Sequence, residues 1–177
     1  MRPWNVLATS LEGRRAALLI SLRRLGEFRP GGYRNVVIGQ VESAAFLDRV
    51  RDALTKDLHL PTVLAKVIPV ERNVRFDPVD PLPALGTAAE EFLDRLAAGS
   101  FFVRLERRGL KGRLHSPTLE RALADRIWRA LEARGHSPRV DFTDPDSVLV
   151  VETLGDEAGL GLVTRGLRRE YPFVKVG

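Results

Sequence analysis

Residues 77–83 read DPVDPLP, and this proline-dense stretch constrains the fold more than any other feature of the chain. Proline removes backbone donors and pushes the residue before it away from helix, so no helix or central strand can run through the segment. The 177-residue chain is therefore expected to fold as two bodies, residues 1–76 and 84–177, with 77–83 as the linker. Both lengths suit a domain, which typically holds about 50–200 residues.

Ahead of the linker, strand and helix periods alternate. WNVLA at 4–8 reads as a strand. Thr9 with Glu12 has the spacing of a capping box opening a helix that carries Leu11, Leu18, Leu19, Leu22 and Leu25 and stops at Gly26. A short strand at Glu27–Arg29, a turn at Pro30-Gly31-Gly32 and a strand at Val36–Val41 follow. Phe46, Leu47, Val50, Leu54 and Leu58 recur at helical spacing before the β-rich TVLAKVIPV at 62–70. The order β-α-β-β-α-β is the ferredoxin-like arrangement.

Beyond the linker, Thr87 and Glu90 form a second capping-box pattern ahead of Phe92, Leu93 and Leu96. FFVRL at 101–105 alternates as a strand. Ser116 as cap and Pro117 in the first turn open a long helix whose core side holds Leu119, Leu123, Ile127, Ala130 and Leu131. Arg139–Phe142 reads as a short strand and TDPD as a turn, while VLVVETL (148–154) and GLGLVTR (159–165) form a hairpin. The expected class is α+β: a ferredoxin-like domain followed by an α/β domain.

Composition excludes several kinds of chemistry. There is no cysteine, so disulfides, thiolate metal sites and cysteine nucleophiles are ruled out. His59, His115 and His136 lack metal-ligand spacing, and Asp141, Asp144 and Asp146 form a short run that contains Pro145 and lacks the glycine and the distal glutamate of a calcium loop. Gly159-Leu160-Gly161 has neither a third glycine nor a following helix, so no dinucleotide site is expected. No metal, cofactor or catalytic residue is assigned. The absence of a long uncharged apolar run predicts no membrane partner and a cytoplasmic location.

The net charge of +5 is spread unevenly. Residues 104–116, RLERRGLKGRLHS, set Arg104, Arg107, Arg108, Lys111 and Arg113 against Glu106 alone, between a strand and a helix start. His115 adjoins them, and the amides near Ser116 carry the partial positive charge of a helix amino terminus. Phosphate binding explains this grouping, and so does a solvated loop. Gly109-Leu110-Lys111-Gly112 has the spacing of a KH loop but follows a strand instead of joining two helices.

FFVRLERRG, SPTLERALADRIWRALEARG and RVDFTDPDSVLVVETLGDEAGLGLV together resemble the THUMP domain, an RNA-binding module of tRNA-modifying proteins. Where the family has asparagine in its "NPD" turn, this chain has Asp144. NVVIGQVE and AKVIPVERNVRF are similar to the ferredoxin-like domain that precedes THUMP, and LVTRGLRREYPFVKVG is similar to the end of stand-alone members of the tRNA acetyltransferase-accessory type. The resemblance implies a non-catalytic adaptor that presents the acceptor end of tRNA to a separate enzyme, a cytidine acetyltransferase, with no room left for a catalytic domain. It also implies that the unpaired 3′ end meets the cationic loop, that Arg165, Arg168, Arg169 and Lys175 line the same groove, and that Tyr171 stacks. An enzyme using His115 with Asp141 or Asp144, or a module binding an acidic protein, remains open on the residues alone.

Overall fold

The protein, seen here as a computed structural model describing residues 2–177, divides into two compact units. One holds the chain up to Val70 together with Arg168–Lys175, and the other holds Glu71–Leu167 with the last two residues.

In the first unit, β1 (Val6–Ser10), β2 (Glu27–Pro30), β3 (Val36–Gln40) and β4 (Leu64–Pro69) form an antiparallel sheet in the order β2-β3-β1-β4. Helices α1 (Arg15–Leu22) and α2 (Ser43–Lys56) complete the expected β-α-β-β-α-β order. Val6, Leu7 and Ala8 on β1 are buried, as its central place requires. Leu18 and Leu22 of α1 and Phe46 and Val50 of α2 supply the helical share of the core, with Phe46 5.7 Å from Phe28 on β2. The capping box at Thr9 is not formed. Thr9 is committed to the ladder between Val36 and Lys66, and Glu12 instead takes hydrogen bonds from Arg34 and Asn35.

The second unit begins earlier than the prolines suggest. Arg72–Arg75 form β5, paired with the last strand of this unit's own sheet, so the division falls after Val70 instead of after Phe76. DPVDPLP then lies inside the second unit. Asp77 organises a turn by accepting from the Val79 amide, and Leu82 and Pro83 already belong to α3 (Leu82–Glu90), where a first-turn proline loses no helical bond. Thr87 and Glu90 sit within that helix and receive hydrogen bonds from Arg126, so no cap forms there either.

The remaining elements are α4 (Leu93–Leu96), β6 (Ser100–Glu106), α5 (Ser116–Ala133), β7 (Arg139–Val140), β8 (Ser147–Leu154), β9 (Glu157–Thr164) and α6 (Arg165–Glu170). Their sheet runs β5-β9-β8-β6-β7, with β6 parallel to both β7 and β8. The four-residue stripe Leu119, Leu123, Ile127 and Leu131 buries α5 in the core of β6, β8 and α3 side chains. The Arg126 side chain of α5 lies directly against the α3 backbone at Gly86, where a Cβ would fall 2.1 Å from its Nη1. Among the described residues no helix is long and apolar enough to cross a membrane.

Two features bear on the site. The pairing of β7 covers only Ser100 and Phe101 of β6, leaving the rest of that edge without a strand partner on this side. Residues 168–175 join the first unit instead of extending the second: the Phe173 carbonyl accepts from the Val67 amide at 3.0 Å, and Tyr171 Oη donates to Asp48 Oδ1 at 2.6 Å.

Candidate nucleic-acid interface

The stem of the cationic loop is set by a carboxylate inside the sheet. Glu152, on β8 between β6 and β9, is only 3% exposed as a side chain, and Arg108 Nη1 pairs with it. Arg108 Nη2 also donates to Glu106 Oε2 at 2.9 Å. The backbone is held as well, for the Arg108 amide donates to Thr153 Oγ1 at 3.2 Å and its carbonyl accepts from the Gly155 amide at 2.8 Å. With its side chain 15% exposed, Arg108 neutralises a buried charge that would be strongly unfavourable alone. It therefore leaves the set of solvent-facing cations in which the sequence places it.

Past this anchor the loop turns its apolar side chains inward and its cations outward. Gly109, Leu110 and Gly112 have φ of 82°, 54° and 80°, a left-handed conformation that glycine adopts freely and leucine does not. Leu110 holds it by packing on the core, and its carbonyl accepts from the amides of Arg113 and Leu114 at 3.0 Å each. Leu114 is buried beside it. Lys111 and Arg113 face solvent. Arg107 is half-buried and donates to the Gly109 carbonyl. Together with Gly112, His115, Ser116 and Pro117, Arg107 and Arg113 line an open hollow of about 350 Å³.

The start of α5 differs from expectation by one residue. His115, not Ser116, is the cap, with Nδ1 accepting from the Thr118 amide at 3.3 Å and lying 2.6 Å from the Thr118 hydroxyl. Ser116 is the first helical residue. Pro117 has no N–H and that of Thr118 is taken, so the Ser116 amide is the directional donor of this turn.

Arg104 lies on β6 with its guanidinium 5.4 Å from the centre of the Phe102 ring. Its Nε is 3.7 Å from Glu120 Oε1, and that oxygen in turn accepts from the Leu105 amide at 2.9 Å.

The carboxyl-terminal cations divide differently. Arg165 spans the VDFTDPD turn, donating to Asp144 Oδ1 at 3.1 Å and to Asp146 Oδ1 at 2.6 Å. It is a brace between β9 and the turn, and it pairs with the carboxylate that stands where the THUMP pattern has asparagine. Asp146 also accepts from the Ser100 amide at 2.8 Å and the Ser100 hydroxyl at 3.1 Å. These bonds, with Arg165, hold its carboxyl below the ordinary value of 3.8. The Thr143 and Asp144 amides do the same for Asp141. Arg168, Arg169 and Lys175 fall in the other unit, where Lys175 lines a hollow with Arg51, Leu54, Pro61 and Phe173. Tyr171 is buried. Its hydrogen bond to Asp48, aided by burial, pushes the phenol up to about 12, and its ring lies under Arg51 at 5.1 Å. It offers no stacking face.

Three residues passed over in the sequence lie at this end of the second unit: Phe102, Arg121 and Phe142. Pro117 and Arg121 line a hollow with Thr118, and both also border a cleft of about 330 Å³ that contains Phe102 and Phe142. The lining is continuous through Pro117 from Arg113 to Phe142. Phe142, expected at the end of a strand over 139–142, lies instead in the turn after β7, which stops at Val140.

Residues 84–163 match the family model of the THUMP domain. Among solved structures, TrmN from Thermus thermophilus is similar with a TM-score of 0.58 and 26% identity, over 89% of this chain and 44% of its own. The protein PH1313 from Pyrococcus horikoshii Ot3 has a TM-score of 0.61 at 12% identity, over 92% and 55%. A 4-thiouridine synthetase, solved as an RNA complex with bound ATP, has a TM-score of 0.56 at 15% identity, over 91% and 41%. The last two share the fold. The chain thus spans about half or less of the length of these structures. No curated protein matches it.

Two outcomes follow from the charge geometry. Arg108→Ala removes the guanidinium from buried Glu152 and should cost about 3–5 kcal/mol, read as a lower urea midpoint, whereas exposed Arg113→Ala should stay within about 0.5 kcal/mol. Equal effects would contradict the anchor. Because the folded pKa of Asp146 is depressed, its contribution is complete above the unfolded value and is lost as pH falls below about 4 through the folded one. Asp146→Asn should therefore show a shallower loss of urea midpoint than the native chain between pH 5 and pH 2 (about the range of carboxylate titration); parallel curves would contradict it.

Proposed function

Starting from the THUMP domain that the chain contains at residues 84–163, we propose that this protein is a tRNA-binding adaptor. It presents the acceptor end of tRNA to a separate modifying enzyme, by resemblance a cytidine acetyltransferase, and catalyses no step itself. The observation that carries this reading is the sorting of charge in the second unit. Arg108 and Arg165 are consumed by carboxylates, while Lys111 and Arg113 are turned outward on a backbone pinned by Leu110 and Leu114. Cations held apart from acids on a fixed loop suit the phosphates of an unpaired strand, with Arg107 and the Ser116 amide beside them.

The groups available for an activity of its own support the non-catalytic reading. His115 caps a helix, Asp141 closes a turn through the amides of Thr143 and Asp144, and Asp144 pairs with Arg165. The role calls for no cofactor. We read the first unit as ferredoxin-like, on the support of its element order and its antiparallel β2-β3-β1-β4 sheet, and place it beside the acceptor stem.

The test is a titration of tRNA across a salt series. Lys111→Glu with Arg113→Glu should weaken binding and flatten the log–log salt dependence by roughly 0.7 per phosphate released from a single strand. A tRNA trimmed of its unpaired 3′ end should lose the same increment. Equal affinities and slopes for the native and charge-reversed proteins would reject the surface, and a modified nucleoside formed by the purified protein without a partner would reject the adaptor role.

A further inference from the structure

We propose that the cleft between α5 and the uncovered edge of β6 is a stacking pocket for one unpaired nucleobase, with Phe142 as its platform. The inference rests on the tRNA-binding reading and adds the residues that receive a base to those that receive phosphate.

Phe142 is 76% exposed, yet the turn that carries it is fastened at several points. The Asp141 amide donates to the Phe101 carbonyl at 3.2 Å, the Asp141 carboxylate accepts from two amides of the turn, and Arg165 clamps Asp144 and Asp146. A large apolar ring is thus held in water by a rigid support, where a hydrophobic residue free to move would fold down onto the protein. Behind it stands Phe102, with ring centres 5.7 Å apart and planes tilted by 34°. Val103, Ala124 and the exposed Val140 complete an apolar wall. The cleft, about 330 Å³, sits at the small end of the range of roughly 300–1,000 Å³ for ligand pockets. That space accepts one planar ring system.

Charge decides what kind of ring. Arg121 is exposed at the rim and belongs both to this cleft and to the hollow next to it. The lining passes from Phe142 through Arg121 and Pro117 to Arg113 without a break. An aromatic face adjoining a cationic track fits a ligand that alternates flat rings with phosphates, which describes a single nucleic-acid strand. Of the two acids at the rim, Glu120 is occupied by the Leu105 amide and Arg104, and Asp125 lies one helical turn beyond Arg121. Neither interrupts the track at Pro117. Arg104, 5.4 Å from the centre of the Phe102 ring, adds a cation–π contact to the aromatic wall.

A short single-stranded RNA in which 2-aminopurine is moved from position to position tests the pocket. With the native protein, quenching on binding should peak at one position. Phe142→Ala should abolish that quenching and weaken binding about 5- to 150-fold, the range for loss of one stacked base, while leaving the salt slope and melting temperature unchanged. Phe142→Tyr should restore both readouts, and an abasic nucleotide at the quenched position should reproduce the loss with the native protein. If the RNA binds and Phe142→Ala changes neither affinity nor quenching, the pocket is wrong while the tRNA-binding reading stands. If the native protein binds no RNA, both fall. A dimer of the free protein that dissociates on Phe142→Ala would overturn the proposal in favour of a contact between two copies.

Discussion

A carboxylate buried in an apolar strand dictates the arrangement of this site. Strand β8, SVLVVETL, is buried along its whole length, and Glu152 within it pairs across the sheet with Glu106 on β6 and Gly159 on β9. A charge so placed must have a partner. Arg108 is the cation that chain connectivity delivers, two residues past the end of β6 and opposite the end of β8. Once Arg108 is drawn in, the chain must reverse at Gly109 and Leu110, and the side chains that follow divide between core and solvent. The outward direction of Lys111 and Arg113 is thus a consequence of an inward arginine.

The same residue type therefore does three kinds of work within one unit. Arg108 compensates a buried charge, Arg165 fastens a turn, and Arg113 with Arg121 supplies positive potential to solvent. The net charge of +5 reports none of this. Which arginines remain for a polyanion depends on where the carboxylates lie in space, and those are more than forty positions away for Arg108 and Glu152 and about twenty for Arg165 and Asp144. The proposed phosphate contacts at the loop and the proposed base platform at Phe142 share one feature: each lies on a segment fastened by hydrogen bonds of its own, through the Leu110 carbonyl in the first case and the Asp141 carboxylate in the second.

Much of the fold was legible because local pattern and tertiary need agreed. The α5 stripe from Leu119 to Leu131, the β8–β9 hairpin and the element order of the first unit stand as the periodicity predicts. The errors have a common cause. Thr9 with Glu12 and Thr87 with Glu90 have cap spacing, but a strand ladder claimed Thr9, and Arg126 engages the other pair from α5. β5 escaped notice because its polar sequence RNVR gains strand character only from pairing with β9. DPVDPLP looked like a boundary, yet prolines suit a turn followed by a helix start. At the site, the cationic loop was visible in sequence, whereas the loss of Arg108 and Arg165 to ion pairs and the display of Phe142 depended on contacts that spacing does not encode.

The account is tested most directly by photo-crosslinking a single-stranded RNA end to the full chain and mapping the attached peptides by mass spectrometry. It predicts adducts on the segment from Arg107 to Arg121 and on Phe142, with none at the buried Trp4 or Tyr171. Adducts confined to Arg168–Lys175 or to the helices of the first unit, with the 107–121 segment unmarked, would contradict it.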